Sequence, residues 1–236
     1  QQSKVDKNHT CFCCLKDWLV LNLKKKRCSM AFITKKELTG HLAPSSDNQR
    51  NSEGDFISID NDKVLFAYSR FSGQNHHDHD PSNIASVVYD LNSYTFDSNA
   101  EIVKKASDFG VQNLMSVSLL RMLNGDIGMF YIKKLPNLKS QIMLSRSNDN
   151  GKTFYEDHVC CPIVFDGYYI LNNNRVMRLS NNRIIIPLAC HMTSCIDGKL
   201  HFDERGTVFF YYSDDDGYTW NRSSTMLTLP STHTKT

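Results

Sequence analysis

Ser213-Asp214-Asp215-Asp216-Gly217-Tyr218-Thr219-Trp220 and Ser147-Asn148-Asp149-Asn150-Gly151-Lys152-Thr153-Phe154 follow one pattern: Ser-x-Asp-x-Gly-x-Thr and then an aromatic. In each octet the Asp can accept bonds from backbone amides, the Gly tolerates positive φ, the Thr can bond back, and the aromatic can be buried. Together these describe a tight turn between two strands. One Asp-Gly turn is common in any β protein. Two octets 66 residues apart, each following a strand-like run, are a repeat.

The flanking sequence repeats with them. Asp55-Phe56-Ile57-Ser58-Ile59 alternates, Asn61-Asp62 is a hairpin turn, and residues 63–70 form a second strand rich in β-formers. The unit returns at 117–122, Asn124-Gly125 and 127–132, and again at 175–179, Asn181-Asn182 and 184–189. The turns begin at 61, 124 and 181, which are intervals of 63 and 57 residues. A third strand follows each hairpin, at 84–89, 141–145 and 207–212, and runs into an octet position. The first octet, 89–96, is degenerate, with Leu91 and Ser93 where Asp and Gly are expected. Units of this length holding a few strands each are what propeller blades look like in sequence. The predicted fold class is therefore all-β, a β-propeller with three to four blades in this chain, and a plain antiparallel sandwich is the alternative. A helical interruption is expected at 99–109. Residues 1–48 lack a clean period and are read as a separate N-terminal segment, with the partial propeller domain at 49–236.

Composition narrows function mainly by exclusion. A formal net charge of +2 and a sequence pI near 8.1 give no electrostatic case for nucleic acid. The basic run Lys24-Lys25-Lys26-Arg27 reads as a solvated flank. No apolar run reaches the ~18 residues needed to span a bilayer. The eight cysteines leave the compartment open; Cys190 and Cys195 are candidates to pair across a short loop. Neither paired Cys-x-x-Cys motifs nor zinc-like His spacing occurs, so no metal site is expected.

From residue 49 to about 228, roughly three quarters of its length, the chain resembles the sialidase-like (neuraminidase, BNR-repeat) Asp-box β-propeller family. The resemblance rests on Arg50-Asn51-Ser52-Glu53-Gly54-Asp55, Ala67-Tyr68-Ser69-Arg70-Phe71-Ser72-Gly73, Asp78-His79-Asp80-Pro81, residues 115–121 and the two good octets. It implies a six-bladed ring binding an acidic sugar at its hub, with a sialylated or other acidic glycan as partner and no cofactor. The octets would then be structural outer turns, built by Ser147, Asp149, Gly151, Thr153 and Phe154 and by Ser213, Asp215, Gly217, Thr219 and Trp220.

The implied chemistry can be placed residue by residue. Arg50 matches the first of a three-arginine cluster that forks onto the sugar carboxylate, and Arg70 is assigned with it as a sugar contact. Asp78, eleven residues before the first octet position, matches the acid that protonates the leaving oxygen, with Asp80 as alternate. Asn173 falls where the family has the Glu that activates a Tyr nucleophile, and residues 189–191 lack the second Arg. Tyr169 and Arg175 lie nearby as candidates for a modified sugar contact. The third Arg and the nucleophilic Tyr would come from later blades. The expectation is a sialidase-like exo-glycosidase, incomplete or inactive as this fragment. The alternative is a non-catalytic Asp-box propeller that binds glycans or proteins.

Overall fold

The computed structural model describes residues 42–75, 77–97 and 99–228. Most of the expected N-terminal segment, residues 1–41, thus lies outside the described residues. The rest forms three antiparallel sheets in chain order. The first holds β1 (Arg50–Ser58), β2 (Lys63–Phe71), β3 (Ser82–Asp90) and β4 (Thr95–Phe96), with β5 (Glu101–Lys104) also paired to β3. The second is β6 (Leu114–Arg121), β7 (Ile127–Leu135), β8 (Lys139–Ser147) and β9 (Tyr155–Val159). The third is built on β12 (Ile184–Ile196) and β13 (Lys199–Ser213). There β10 (Gly167–Ile170) and β11 (Met177–Arg178) pair with β12, while β14 (Asn221–Arg222) and β15 (Leu227–Thr228) pair with β13.

The helical interruption expected at 99–109 is split between a strand, Glu101–Lys104, and a 3-10 turn, Ala106–Phe109. Glu101, Ile102 and Lys104 pair β5 with β3, and the 3-10 turn that follows is closed by Gly110 at φ 64. The cysteine pairing is also corrected. Cys190 and Cys195 lie on the same extended strand, β12, and both are free. Five residues of strand span about 17 Å, far beyond disulfide reach. No helix among the described residues is long and apolar enough to cross a membrane.

Both good octets fold into one turn. Ser147 Oγ donates to Asp149 Oδ1 at 2.7 Å and accepts from the Gly151 amide at 2.8 Å. The amide and hydroxyl of Thr153 donate to the two Asp149 oxygens at 2.9 and 2.6 Å. Burial would raise the Asp149 pKa, but these donors outweigh it and hold the group at about 2. Ser213, Asp215, Gly217 and Thr219 repeat the network with distances of 2.6 to 2.8 Å. In the degenerate octet, Asp90 instead accepts from Asn92 and Ser93, and the positive φ moves to Tyr94.

These turns join neighbouring sheets as well as strands. Gly151 sits against Leu65 of the first sheet, where a Cβ would fall 2.2 Å from the Leu65 Cδ2. Gly217 sits against Leu144 of the second, and the Trp220 ring meets Phe130 edge-on at 6.0 Å. One apolar core fills the space between the first and second sheets and another the space between the second and third. With Ser147 and Ser213 as common markers, Phe130, Ile132, Ile142 and Leu144 correspond in register to Pro187, Ala189, Val208 and Phe210. The first four are at most 1% exposed beneath the third sheet, whereas Val208 and Phe210 are each 41% exposed. Among the described residues, that third face is open.

The first strands of the three sheets interlock through a recurrent irregularity. β1 bulges between Ser52 and Asp55, β6 bulges between Met115 and Ser118, and the chain leaves the third sheet between β10 and β11. Pro187, which has no N–H to give, lies on β12 opposite that gap. Glu53, Ser116 and Asn174 occupy these breaks with φ of 55, 61 and 53. Cross-sheet bonds follow: Ser116 Oγ to Glu53 Oε2 at 3.0 Å, the Asn174 amide to the Val117 carbonyl at 3.1 Å, and Asn173 Nδ2 to the Gly54 carbonyl at 3.2 Å.

Asp55 closes the first bulge, buried, accepting the amides of Phe56 and Leu119 at 2.7 Å each. Burial raises its pKa from 3.8 to about 6, against the two amide bonds. The folded state therefore holds this proton more tightly than the unfolded chain. The associated stability is complete below pH ~4 and is lost as pH rises to about 6. The shift corresponds to about 3 kcal/mol. Urea midpoints between pH 4 and 7 should show this slope in the parent and lose it in Asp55→Asn; parallel profiles would refute the assignment.

Candidate functional site

In an antiparallel meander, successive turns fall on alternate edges. The β1–β2, β6–β7 and β11–β12 turns share one edge with the octets. The opposite edge collects the start of β1, the β2–β3 loop, the end of β7 and the start of β10. Arg50 and Asp78 both lie there, joined by Arg50 Nη2 to Asp78 Oδ1 at 2.7 Å, and the guanidinium also covers the Phe71 ring at 3.9 Å. The two foremost sequence candidates, 28 residues apart, are thus in contact.

Three residues not singled out from sequence complete the cluster. Glu53 turns inward from the β1 bulge; burial and then the Asp78 charge raise its pKa, against the Ser116 bond and the charges of Arg50 and Lys134. Lys134, near the end of β7, donates to the Asp78 carbonyl, and burial lowers its pKa to about 8. Tyr168, from β10, presents its ring 5.6 Å from the Lys134 ammonium. Burial, with Glu53 and Asp78 beside it, raises the Tyr168 phenol. His79 borders Lys134 at 3.5 Å, and burial lowers its pKa. One carboxyl favouring its proton beside one paired with a guanidinium is an arrangement suited to acid–base chemistry on a bound anion.

The other candidates lie apart from this cluster. Arg70 pairs across the surface with Asp47 at 2.8 Å. Asp80 organises its own loop by accepting the amides of Asn75 and His77 at 3.0 and 3.2 Å. Tyr169 is 1% exposed, and its hydroxyl accepts the amides of Val164 and Phe165. Strand alternation thus puts Tyr169 in the core and its neighbour Tyr168 at the cluster. Asn173 holds the Gly54 carbonyl behind Glu53, and Arg175 is exposed, its guanidinium on the adjacent Asn174 carbonyl. The Glu53-Gly54 break inside an alternating strand was a legible bulge signal. Lys134 and Tyr168 carry no such mark, since each reads as an ordinary strand-end residue.

Comparison with known proteins sets this geometry in context. No family model matches the chain, and no curated protein matches it. Solved structures do. A Hadza microbial sialidase superposes with a TM-score of 0.59 at 14% identity over 75% of this chain and 37% of that one. The NanB sialidase from Streptococcus pneumoniae gives 0.57 at 12% identity, covering 86% and 49% respectively. The fold is sialidase-like. An endo-arabinase from Bacteroides thetaiotaomicron, at TM-score 0.51 and 13% identity over 83% and 66%, shows the same sheets in another glycan-active enzyme. This sialidase-like chain spans about a third to a half of the length of the two sialidases.

Proposed function

We propose that the chain is part of a sialidase-like exo-glycosidase of the Asp-box propeller family, with its acidic-sugar site at the Arg50–Asp78 edge. The observation that carries this reading is the 2.7 Å contact between Arg50 and Asp78, on the edge away from the octet turns. Arg50 offers a planar fork for the sugar carboxylate. A sugar carboxylate taking the place of Asp78 on that fork removes the charge that keeps Asp78 ionised, so Asp78 can take up a proton from solvent and pass it to the leaving oxygen. Retention through a Tyr-linked intermediate would follow from the family's chemistry, which uses Tyr in place of a carboxylate nucleophile.

In this proposal the ring continues past the open third face. Pro187, Ala189, Val208 and Phe210 stand in the register positions that neighbouring sheets cover twice elsewhere, so a further sheet of the same kind belongs there. The remaining arginines and the nucleophile would come with it. The 236 residues alone are accordingly expected to bind a sialoside and not to hydrolyse it. On a glycan array the parent should retain sialylated glycans, and Arg50→Ala should weaken that retention about 100-fold. Turnover of a fluorogenic sialoside by the parent, lost in Arg50→Ala, would overturn the inactivity.

A non-catalytic glycan- or protein-binding propeller is the second reading. Asn173 favours it, because an amide cannot serve as the base that a Glu provides at that place. If no sialylated glycan is retained at all, both sugar readings fail.

A further inference from the structure

Lys134 is a partly buried cation with no ion-pair partner among the described residues. Its ammonium meets the neutral carbonyl of Asp78, His79 Nδ1 at 3.5 Å, and the Tyr168 ring at 5.6 Å. The nearby carboxylates are engaged elsewhere, Asp78 by Arg50 at 2.7 Å and Glu53 by Ser116 at 3.0 Å. The direct partners of Lys134 are neutral, with Asp78 and Glu53 acting on it only as nearby charges, so a partly buried ammonium gains from a directly bonded anion.

The ammonium also borders a cleft of 360 Å³, within the range of ligand pockets, lined by His79, Gln112, Asn113, Lys139 and Tyr168 among others. One buried polar atom of the lining has no hydrogen-bond partner among the described residues: Oδ1 of Asn113, a residue 3% exposed. A hydroxyl on a bound anion would supply the donor it lacks.

We infer that this cleft, between the end of β7, the β2–β3 loop and the start of β10, is a carboxylate subsite, with Lys134 as the cation that meets a sugar carboxylate. Tyr168 provides an aromatic face beside it. The inference rests on the reading that the ligand is an acidic sugar. It assigns to an ammonium from the second sheet part of the anion recognition that Arg50 begins.

The charged and titratable groups facing Lys134 are Arg50 and Glu53 from β1, Asp78 and His79 from the β2–β3 loop, Lys139 from β8 and Tyr168 from β10. Lys134 titrates near pH 8, so its cationic form prevails at pH 7 and is lost above 8. A bound carboxylate holds that proton in place. Binding therefore takes up a proton above pH 8 and weakens as pH rises.

Calorimetric titration with N-acetylneuraminate at pH 7 and pH 9.5 tests this. The parent should bind about tenfold more weakly at pH 9.5. Lys134→Gln should bind at that weak level at both pH values, and Lys134→Arg should keep the pH 7 affinity at both. Urea unfolding of each variant checks that it is folded. Equal affinity of the parent and Lys134→Gln for neuraminate, or a pH dependence that persists in Lys134→Arg, would overturn the subsite and leave the sialoside reading standing. Binding of glucuronate but not neuraminate, with the same dependence on Lys134, supports the subsite and removes the sialoside reading. Failure of both sugar acids to bind refutes the subsite.

Discussion

Replacing Asp216 by alanine is expected to lower the unfolding free energy by about 3–5 kcal/mol, the range for removing one partner of a buried ion pair. Asp216 belongs to the second octet but faces the second sheet. Its carboxylate accepts Arg178 Nη2 at 2.5 Å and the Leu123 amide at 3.1 Å, and stands 3.8 Å from Arg146 Nη1. Arg146 is 1% exposed and donates at 2.6 Å to the Asp216 carbonyl, a bond that survives the substitution. Without the carboxylate, its nearest remaining acid is Glu156 at 4.0 Å. Arg146 is then left buried with that one acid, and Arg178 loses its partner at 2.5 Å. Urea unfolding measures the loss, and the double variant Asp216→Ala with Arg146→Met should recover part of it, since an apolar replacement removes the stranded cation. A loss under ~1 kcal/mol for the single variant would show that Arg146 needs no counter-charge.

The second large effect is expected at Gly151. Its φ of 85 disfavours any L side chain, and a Cβ would stand 2.2 Å from the Leu65 Cδ2 in the adjoining sheet. The backbone contributes ~1–2 kcal/mol and overpacking of a filled core another ~1–3, so Gly151→Ala should cost about 3 kcal/mol. Gly125 provides the control. Its φ is 93, but no atom lies within 4 Å of its Cβ position, so Gly125→Ala should cost only the backbone part. Equal losses at the two glycines would mean that the octet turn does not dock on Leu65.

These two positions show what was legible before the tertiary structure. The octet pattern specified a turn because its bonds run between residues at most four apart. Those residues meet in whatever context the chain provides. Hairpins at 61, 124 and 181 followed likewise from local alternation and turn residues. The resemblance to the sialidase-like family, laid on the octet register, singled out Arg50 and Asp78, and the structure then put both on one sheet edge. The same local reasoning failed at 101–104, where the chain joined β3 as strand instead of a helix, and at 190–195, where one continuous strand keeps two cysteines apart.

By itself, then, the sequence determined the turns, the strand order within each unit and the repeat that lets the units stack, while the family resemblance it carries pointed to Arg50 and Asp78. Which residues join that pair was decided by the tertiary structure. Glu53 points inward because β1 bulges, Tyr168 rather than Tyr169 faces the cleft because of the side β10 turns to the core, and Arg70 meets Asp47. Lys134 reaches Asp78 because the second sheet packs on the first. The physical reason is range. Turn chemistry acts over a few residues, whereas the environment of a charge depends on how sheets distant in sequence pack together.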